Sequence, residues 1–395
     1  MQAKSQPMKL IEVKTSRHKK AFLDVARKLY KDDPVWVCPL DSMIEGVFDP
    51  EKNFFYQQGE AVRWVLEDDK GALIGRVAAF INRKKAFGYE QPTGGMGFFE
   101  CIDDQKAAFM LFDRCRSWLS EKGMKAMDGP INFGENDNFW GLLVEGYTHP
   151  SFGMPYNKTY YEGFFRNYGF EEYFEQVTNH LDLTEPFPER FWKIAEWVRK
   201  KPGFEWRHFE WKKSDQYIRD LKEIYDEAWQ NHDNFTPLSL STIIGEMEQT
   251  RSFLEEEFIW FVYHEGEPVA FLVMFPDVNQ LLKPMEGKMG LVNKLRFMWL
   301  KKQKKINRAR ITIMGVKTQF QRFGLESGIF WQMNEVMKKP EFQHYKEIEL
   351  SWVGDFNPKM QSIHKAVGAK FGKRHRTFRL LFDKNTDSPQ RHKRI

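Results

Sequence analysis

The chain has 395 residues, with 60 Lys+Arg against 55 Asp+Glu and a formal net charge of +5. At roughly 100–200 residues per domain, this length predicts two domains. Hydrophobic residues at 42% and charged residues at 29% exclude a disordered or fibrous chain, and no apolar run reaches the ~20 residues of a membrane span.

The opening Met1–Lys20 is polar and Lys-rich, without the apolar core of a secretory signal. Met8–Thr15 reads as a strand and Arg17–Tyr30 as a helix, with Phe22, Val25, Ala26 and Leu29 at the helical period. Asp32–Asp49, rich in Pro and Asp, reads as a loop. Alternation at Ala61–Glu67 and Leu73–Asn82 predicts a hairpin, and Gly95–Ile102 a strand. Asp103 or Asp104 caps a helix running to Gly123. A Gly/Asn/Pro-rich loop spans Gly129–Asn157, followed by a helix at Tyr160–Tyr168 and a strand at Glu172–Leu183.

The second half repeats this order. A strand at Phe204–Phe209 precedes helices at Tyr217–Trp229 and Ser241–Gln249, then a hairpin of Phe258–His264 with Pro268–Phe275. After an insertion come a strand (Ala309–Val316), a helix (Phe323–Met337), a strand (Glu347–Val353), a helix (Pro358–Val367) and a strand (Lys370–Phe382). The repetition predicts a duplication joined near Thr184–Pro188, with domains 1–185 and 186–395. Residues 1–185 carry 23 basic and 28 acidic side chains and residues 186–395 carry 37 and 27, so an anionic partner is expected on the second half.

One segment carries chemistry. Ile311-Thr-Ile-Met-Gly-Val316 is a β-branched strand, and Gln321-Arg322-Phe323-Gly324-Leu325 follows it into a helix. A helix start offers unpaired N–H groups and a positive dipole end to phosphate, and Gly permits close backbone approach. This strand–turn–helix resembles the acyl-CoA motif of the GNAT superfamily of N-acyltransferases. The resemblance implies an α+β fold of two tandem GNAT-like domains, each a twisted mixed central sheet flanked by helices. It also implies acetyl-CoA or another acyl-CoA as co-substrate, without a metal. Met314, Val316, Gln321, Arg322, Phe323, Gly324, Leu325 and Asn357 would then hold the coenzyme. Glu326 departs from the motif, standing where a small residue is expected. His364 occupies the place of the family's Tyr, which protonates the leaving thiolate; Tyr156 is a second candidate for that role. Glu349 and Asp355, flanking the strand, are candidates for taking the amine proton. The matching turn of the first half, Phe98–Asp104, lacks the motif and carries two aspartates, so that half is expected to be without CoA.

Asp128–Asn132, Gly141–Gly146, Met154–Asn157 and Tyr160-Tyr161 resemble a bacterial group of tandem-GNAT proteins, some of whose relatives are linked to N-acylation of sphingoid bases. The resemblance implies an N-acyltransferase whose acceptor is a small-molecule or lipid amine. Polar and aromatic side chains in this stretch are candidate substrate contacts, namely Asn132, Glu135, Asn157, Tyr160 and Tyr161; the same residues also suit turns and packing. Two other readings stay open: a non-catalytic protein on the GNAT scaffold, and a Fem-like transferase using aminoacyl-tRNA.

The insertion Lys283–Arg310 holds ten Lys/Arg and one acid, Glu286, with Leu291, Val292, Leu295, Met298 and Trp299 at helical spacing. Such a helix suits an anionic membrane surface, the CoA phosphates, or simple packing of its stripe on the domain. Nucleic acid is not expected, since no recognition-module signature accompanies the basic residues. Cys38, Cys101 and Cys115 have no zinc-type spacing, and the histidines form no His-x-x-x-His pair. A cytoplasmic protein, in peripheral contact at most with the inner membrane face, is the expectation.

Overall fold

The structure, a computed structural model, describes residues 8–88, 91–230 and 239–383. The first half runs β1 (Lys9–Glu12), α1 (Ser16–Leu29), α2 (Asp41–Val47), β2 (Gly59–Glu67), β3 (Leu73–Asn82), α3 (Arg83–Ala86), β4 (Thr93–Cys101), α4 (Gln105–Glu121), β5 (Ala126–Gly129), β6 (Leu142–Glu145), α5 (Tyr161–Tyr168) and β7 (Glu171–Asp182). The second runs α6 (Glu189–Arg199), β8 (Phe204–His208), α7 (Ser214–Trp229), α8 (Leu240–Thr250), β9 (Ile259–His264), β10 (Glu267–Pro276), α9 (Asn279–Leu282), α10 (Leu291–Lys302), β11 (Arg308–Val316), α11 (Leu325–Met337), β12 (Glu347–Gly354), α12 (Pro358–Ala366) and β13 (Lys370–Leu381). The expected loop Asp32–Asp49 contains α2. This short helix has no side-chain cap and owes its place to Ile44 and Phe48, which pack against Phe22 and Val25 of α1.

All strands join one 13-stranded sheet in the order β1-β2-β3-β4-β5-β13-β7-β12-β11-β10-β9-β8, with β6 pairing β13. The two halves exchange their last strands. β13 lies against β5 of the first half, from Phe378↔Gly129 to Leu381↔Ala126. β7 lies against β12 of the second half, from Glu347↔Asp182 to Gly354↔Gln176. The exchanged strands pair with each other in the middle. Antiparallel ladders thus bind the halves into one continuous backbone network.

Helices cover both faces. In the first half α4 and α5 pack on one side around Phe112 and Phe165, and α1 and α2 on the other. In the second half α6 and α11 take one side and α7 and α8 the other. Burying each such large apolar side chain contributes about 1.5–3 kcal/mol, so these four interfaces fix the strands on which the site is built.

Candidate active site

The parallel pair β11–β12 holds for only four residues, from Arg308↔Glu347 to Ile311↔Leu350. Beyond it each strand stays with its outer neighbour, β11 with β10 and β12 with β7, and the sheet parts between them. Thr312–Met314 and Ser351–Trp352 become half-buried, although both strands are central. On the β10 side the Lys317 N–H donates to the Val269 carbonyl at 2.9 Å. Strand alternation turns the N–H groups of Val316 and Met314 the opposite way, into the gap.

The gap opens on a cavity of about 840 Å³ between the halves. Val316, Thr318 and Gln321 of the second half and Gly94, Gly95 and the stretch Ile131–Asn136 of the first half line it. Phe55, Phe80, Phe133, Trp229 and Phe356 line it with aromatic surface. The Trp352 indole N–H donates to the Asn136 carbonyl at 3.0 Å and ties the two halves across it.

After β11 the chain turns through Gly324, at φ +71°, into α11, which starts without a side-chain cap. That left-handed conformation suits glycine. No side-chain cap from before the helix takes its first-turn N–H groups, although the Ser327 N–H donates back to the Gly324 carbonyl at 3.0 Å and the Glu326 carboxyl takes its own N–H. A helix start of this kind attracts anions. The Gln321 side-chain amide donates to the Val316 carbonyl at 3.3 Å and accepts from Lys359 Nζ at 3.1 Å, closing the end of the gap. Glu326 stands buried in the first turn, 4.0 Å from Lys359. Burial raises its pKa, against the opposing pull of its own N–H and of Lys359. An uncapped helix start and Lys359 offer positive character to an anion here, beside the Glu326 carboxyl whose pKa burial raises.

The same place in the first half is closed. β4 matches β11 in length and position, but the Ile131 N–H donates to the Met96 carbonyl at 2.9 Å and fills the gap beside it. A Cβ on Gly97 would lie 2.0 Å from the Ile131 oxygen, so only glycine admits this approach. The Cys101 N–H, at the position of Val316, donates to the Tyr161 hydroxyl at 2.9 Å. Tyr161 and Tyr30 in turn donate to buried Glu100, each at 2.8 Å. Asp104 caps α4 by accepting from Lys106 and Ala107 N–H. The Cys101, Lys106 and Ala107 amides are thereby already bonded within the protein.

Of the sequence candidates, Met314, Val316, Gln321, Asn357, Asn132 and Glu135 lie on the cavity wall. Asn357 also caps α12, accepting from the Met360 N–H at 3.1 Å. Gly324 and Leu325 form the helix start, while Arg322 and Phe323 face outward. The four proton-transfer candidates are not brought together, and none lines the cavity. His364 packs inward against Asn179 at 3.0 Å, and burial lowers its pKa to about 4. The Tyr156 hydroxyl donates to Asp33 and has its pKa pushed up to about 12 by burial, then by that carboxylate. Glu349 is fully buried, accepting from Ser151 at 2.6 Å with Arg310 at 3.3 Å. Asp355 is exposed on the turn after β12. Asn157 clamps β6, accepting from the Leu143 N–H at 2.7 Å, and Tyr160 donates to the Cys101 carbonyl at 2.9 Å. The sequence reading did not single out the wall residues Phe133, Trp229, Trp352 and Lys359. Lys359, two residues after Asn357 on the same turn, was the one with a local signal.

No family model matches the chain. It is 28% identical over 383 residues to a bacterial ceramide synthase of Caulobacter vibrioides, covering 94% of this chain and 96% of that one. It is 26% identical over 368 residues to the protein YghO of Escherichia coli, covering 91% and 92%. Among solved structures, a tandem GNAT protein from the clavulanic acid biosynthesis pathway superposes with a TM-score of 0.56 at 11% identity, covering 96% of this chain and all (100%) of that one. The α+β architecture of two GNAT units, expected from the motif, is the fold of this chain.

Proposed function

We propose that this tandem-GNAT chain is an N-acyltransferase that moves an acyl group from an acyl-CoA, bound by its second half, to the amine of a lipidic acceptor. One observation carries this: the β11–β12 gap, with outward-turned amides and an uncapped α11, opens into the cavity between the halves, whereas the equivalent gap in residues 1–185 is filled. The amine lone pair attacks the thioester carbonyl. The C–N bond forms, and the Met314 and Val316 N–H groups steady the oxyanion. The C–S bond then breaks, and the thiolate leaves with a proton from solvent.

The amine must also lose a proton. Three carboxylates line the cavity: Asp128, Glu135 and Glu326. Asp128 is committed to Arg379 in a buried pair at 2.6 Å, and Glu326 sits at the helix start. Glu135 reaches solvent, pairs with Lys85 at 3.1 Å, and neighbours Asn136, which touches Trp352 beside the gap. Glu135 is the proton acceptor in this reading.

A ceramide is the amide of a long-chain amino alcohol and a fatty acid, and the ceramide synthase relative makes such an acceptor the first to try. The aromatic lining suits an alkyl chain, and about 840 Å³ is large enough for one. The test is to incubate the purified chain with palmitoyl-CoA and sphinganine and detect the amide by mass spectrometry. Amide formation that falls by about 10²–10⁴-fold in Glu135→Gln supports the reading. Acyl-CoA binding without transfer to any long-chain amine would assign a binding role instead.

A further inference from the structure

α10 is amphipathic in the unusual sense. Its one buried side chain is Phe297, while Leu291, Val292, Leu295, Met298 and Trp299 are exposed by 76%, 78%, 64%, 54% and 59%. At 100° per residue these five share an arc of about 120° opposite Phe297. Lys294 flanks one edge of the arc and Arg296 the other, and Lys302 extends it at the C-terminal end; all three are exposed. Lys288 and Lys305, just outside the helix, are exposed as well. Glu286 is the single acid between Lys283 and Arg310. Asn293 and Lys301 anchor the inner side of α10, donating to the Lys288 and Ser252 carbonyls at 2.8 Å each, and Arg296 at the edge of the arc donates to the Pro284 carbonyl at 3.1 Å.

We propose that α10 is a membrane-docking element that lays its outward apolar arc into the interface of an anionic bilayer. A scattered exposed Leu needs no explanation, but five contiguous bulky apolar side chains on one face do. The charge pattern selects the occupant. Lysines and an arginine border the arc on both sides, and no acid lies on the helix, which complements anionic headgroups. A second copy of this helix would bring Lys294, Arg296 and Lys302 against their own images, with like charges opposed. Trp299 and Met298 bring the amphipathic and adaptable bulk that suits the headgroup boundary. Among the described residues no helix is long and apolar enough to cross a membrane, so this contact would be peripheral.

α10 precedes the N-terminal end of β11, whereas the Gln321 turn follows its C-terminal end. The nine residues of β11 span about 30 Å at ~3.3 Å each, so these cations do not border the phosphate turn. The docking surface stands apart from the chemistry of the site, and the inference does not depend on the acyl-transfer reading.

Flotation of the full chain with vesicles tests it. Wild-type protein is expected to float with vesicles of phosphatidylglycerol and phosphatidylcholine in equal parts, and to stay behind with pure phosphatidylcholine. Leu295→Glu with Trp299→Glu is expected to lower the floating fraction by about tenfold or more, with an unchanged melting temperature. Wild-type protein that ignores phosphatidylglycerol vesicles, or a variant that floats equally well, overturns the proposal. So does sedimentation showing a dimer that the variant dissociates, since the arc would then be a self-association surface. Failure of the acylation assay leaves this readout untouched.

Discussion

At the start of α11 one carboxyl sets the terms on which an anion can bind. Glu326 is buried in the turn where phosphate would lie, and burial raises its pKa. Ionised, it opposes an anion; protonated, it does not. Glu326→Gln is expected to tighten acyl-CoA binding by up to about tenfold, on the scale of a charge at a helix terminus. Wild-type affinity, measured by calorimetry, should fall as rising pH ionises this buried carboxyl, and the Gln variant should be flat. Other buried groups govern stability in acid. His375 and His364 are held neutral by burial, with pKa values lowered to about 3 and about 4. The unfolded chain protonates both near pH 6.5 while the folded chain does not, so stability is lost as pH falls through that range. Glu347, lowered to about 2 by His180 and Arg308 despite burial, acts in the same direction below its ordinary range. Asp277, raised to about 6 by burial, acts the opposite way, since the folded state holds its proton longer. His149, also lowered to about 4 by burial, joins the other two, and three histidines outweigh this aspartate, so thermal melting temperature should drop from pH 6.5 to about pH 4. His375→Gln should shrink that drop.

At the scale of elements, α6 bears on the site more than its place in the chain suggests. It packs Phe191, Ala195 and Val198 beneath α11. Val198 Cγ2 lies 3.5 Å from where a Cβ on Gly324 would be. Phe191→Ala is expected to cost about 3–5 kcal/mol by urea unfolding and to weaken acyl-CoA binding with it. This helix was legible in principle, since positions 191, 195 and 198 have helical spacing, but the aromatic and charged residues between them mask the period. β5 and β6, four residues each, carry too little alternation to stand out from a Gly/Asn/Pro-rich stretch. The long elements were legible because their patterns are long: α4 buries one face over seventeen residues, and β11 is a β-branched run. Legible too was the turn at Gln321–Leu325, where glycine and helix start stand together in the sequence. The closing of the first-half gap was not, because it depends on Ile131 and Tyr161 reaching β4 from 30 or more residues away. Local pattern also cannot tell that His364 and Tyr156 turn from the cavity, since tertiary partners Asn179 and Asp33 hold them.

Across the whole molecule, the exchange of β7 and β13 makes the halves interdependent. Residues 1–185 alone would lose the strand that pairs β5, and residues 186–395 would lose the one that pairs β12. Each fragment would leave long ladders unpaired, a known route to aggregation. The full chain is expected to melt in one transition by calorimetry, and the separately expressed halves to be insoluble or unfolded; two well-separated transitions would contradict this. The exchange also places the cavity. Tyr173 and Phe174 of β7 and Thr377 of β13 reach its wall from strands that have crossed between the halves. The cavity therefore belongs to the assembled sheet, while the turn proposed to hold the phosphates belongs to the second half alone. That asymmetry is the central claim, and titration of palmitoyl-CoA into the full chain by calorimetry tests it directly. The account predicts one site per chain, abolished by Gly324→Trp and unchanged by Tyr161→Phe. Two sites per chain, or one that survives Gly324→Trp, would contradict it.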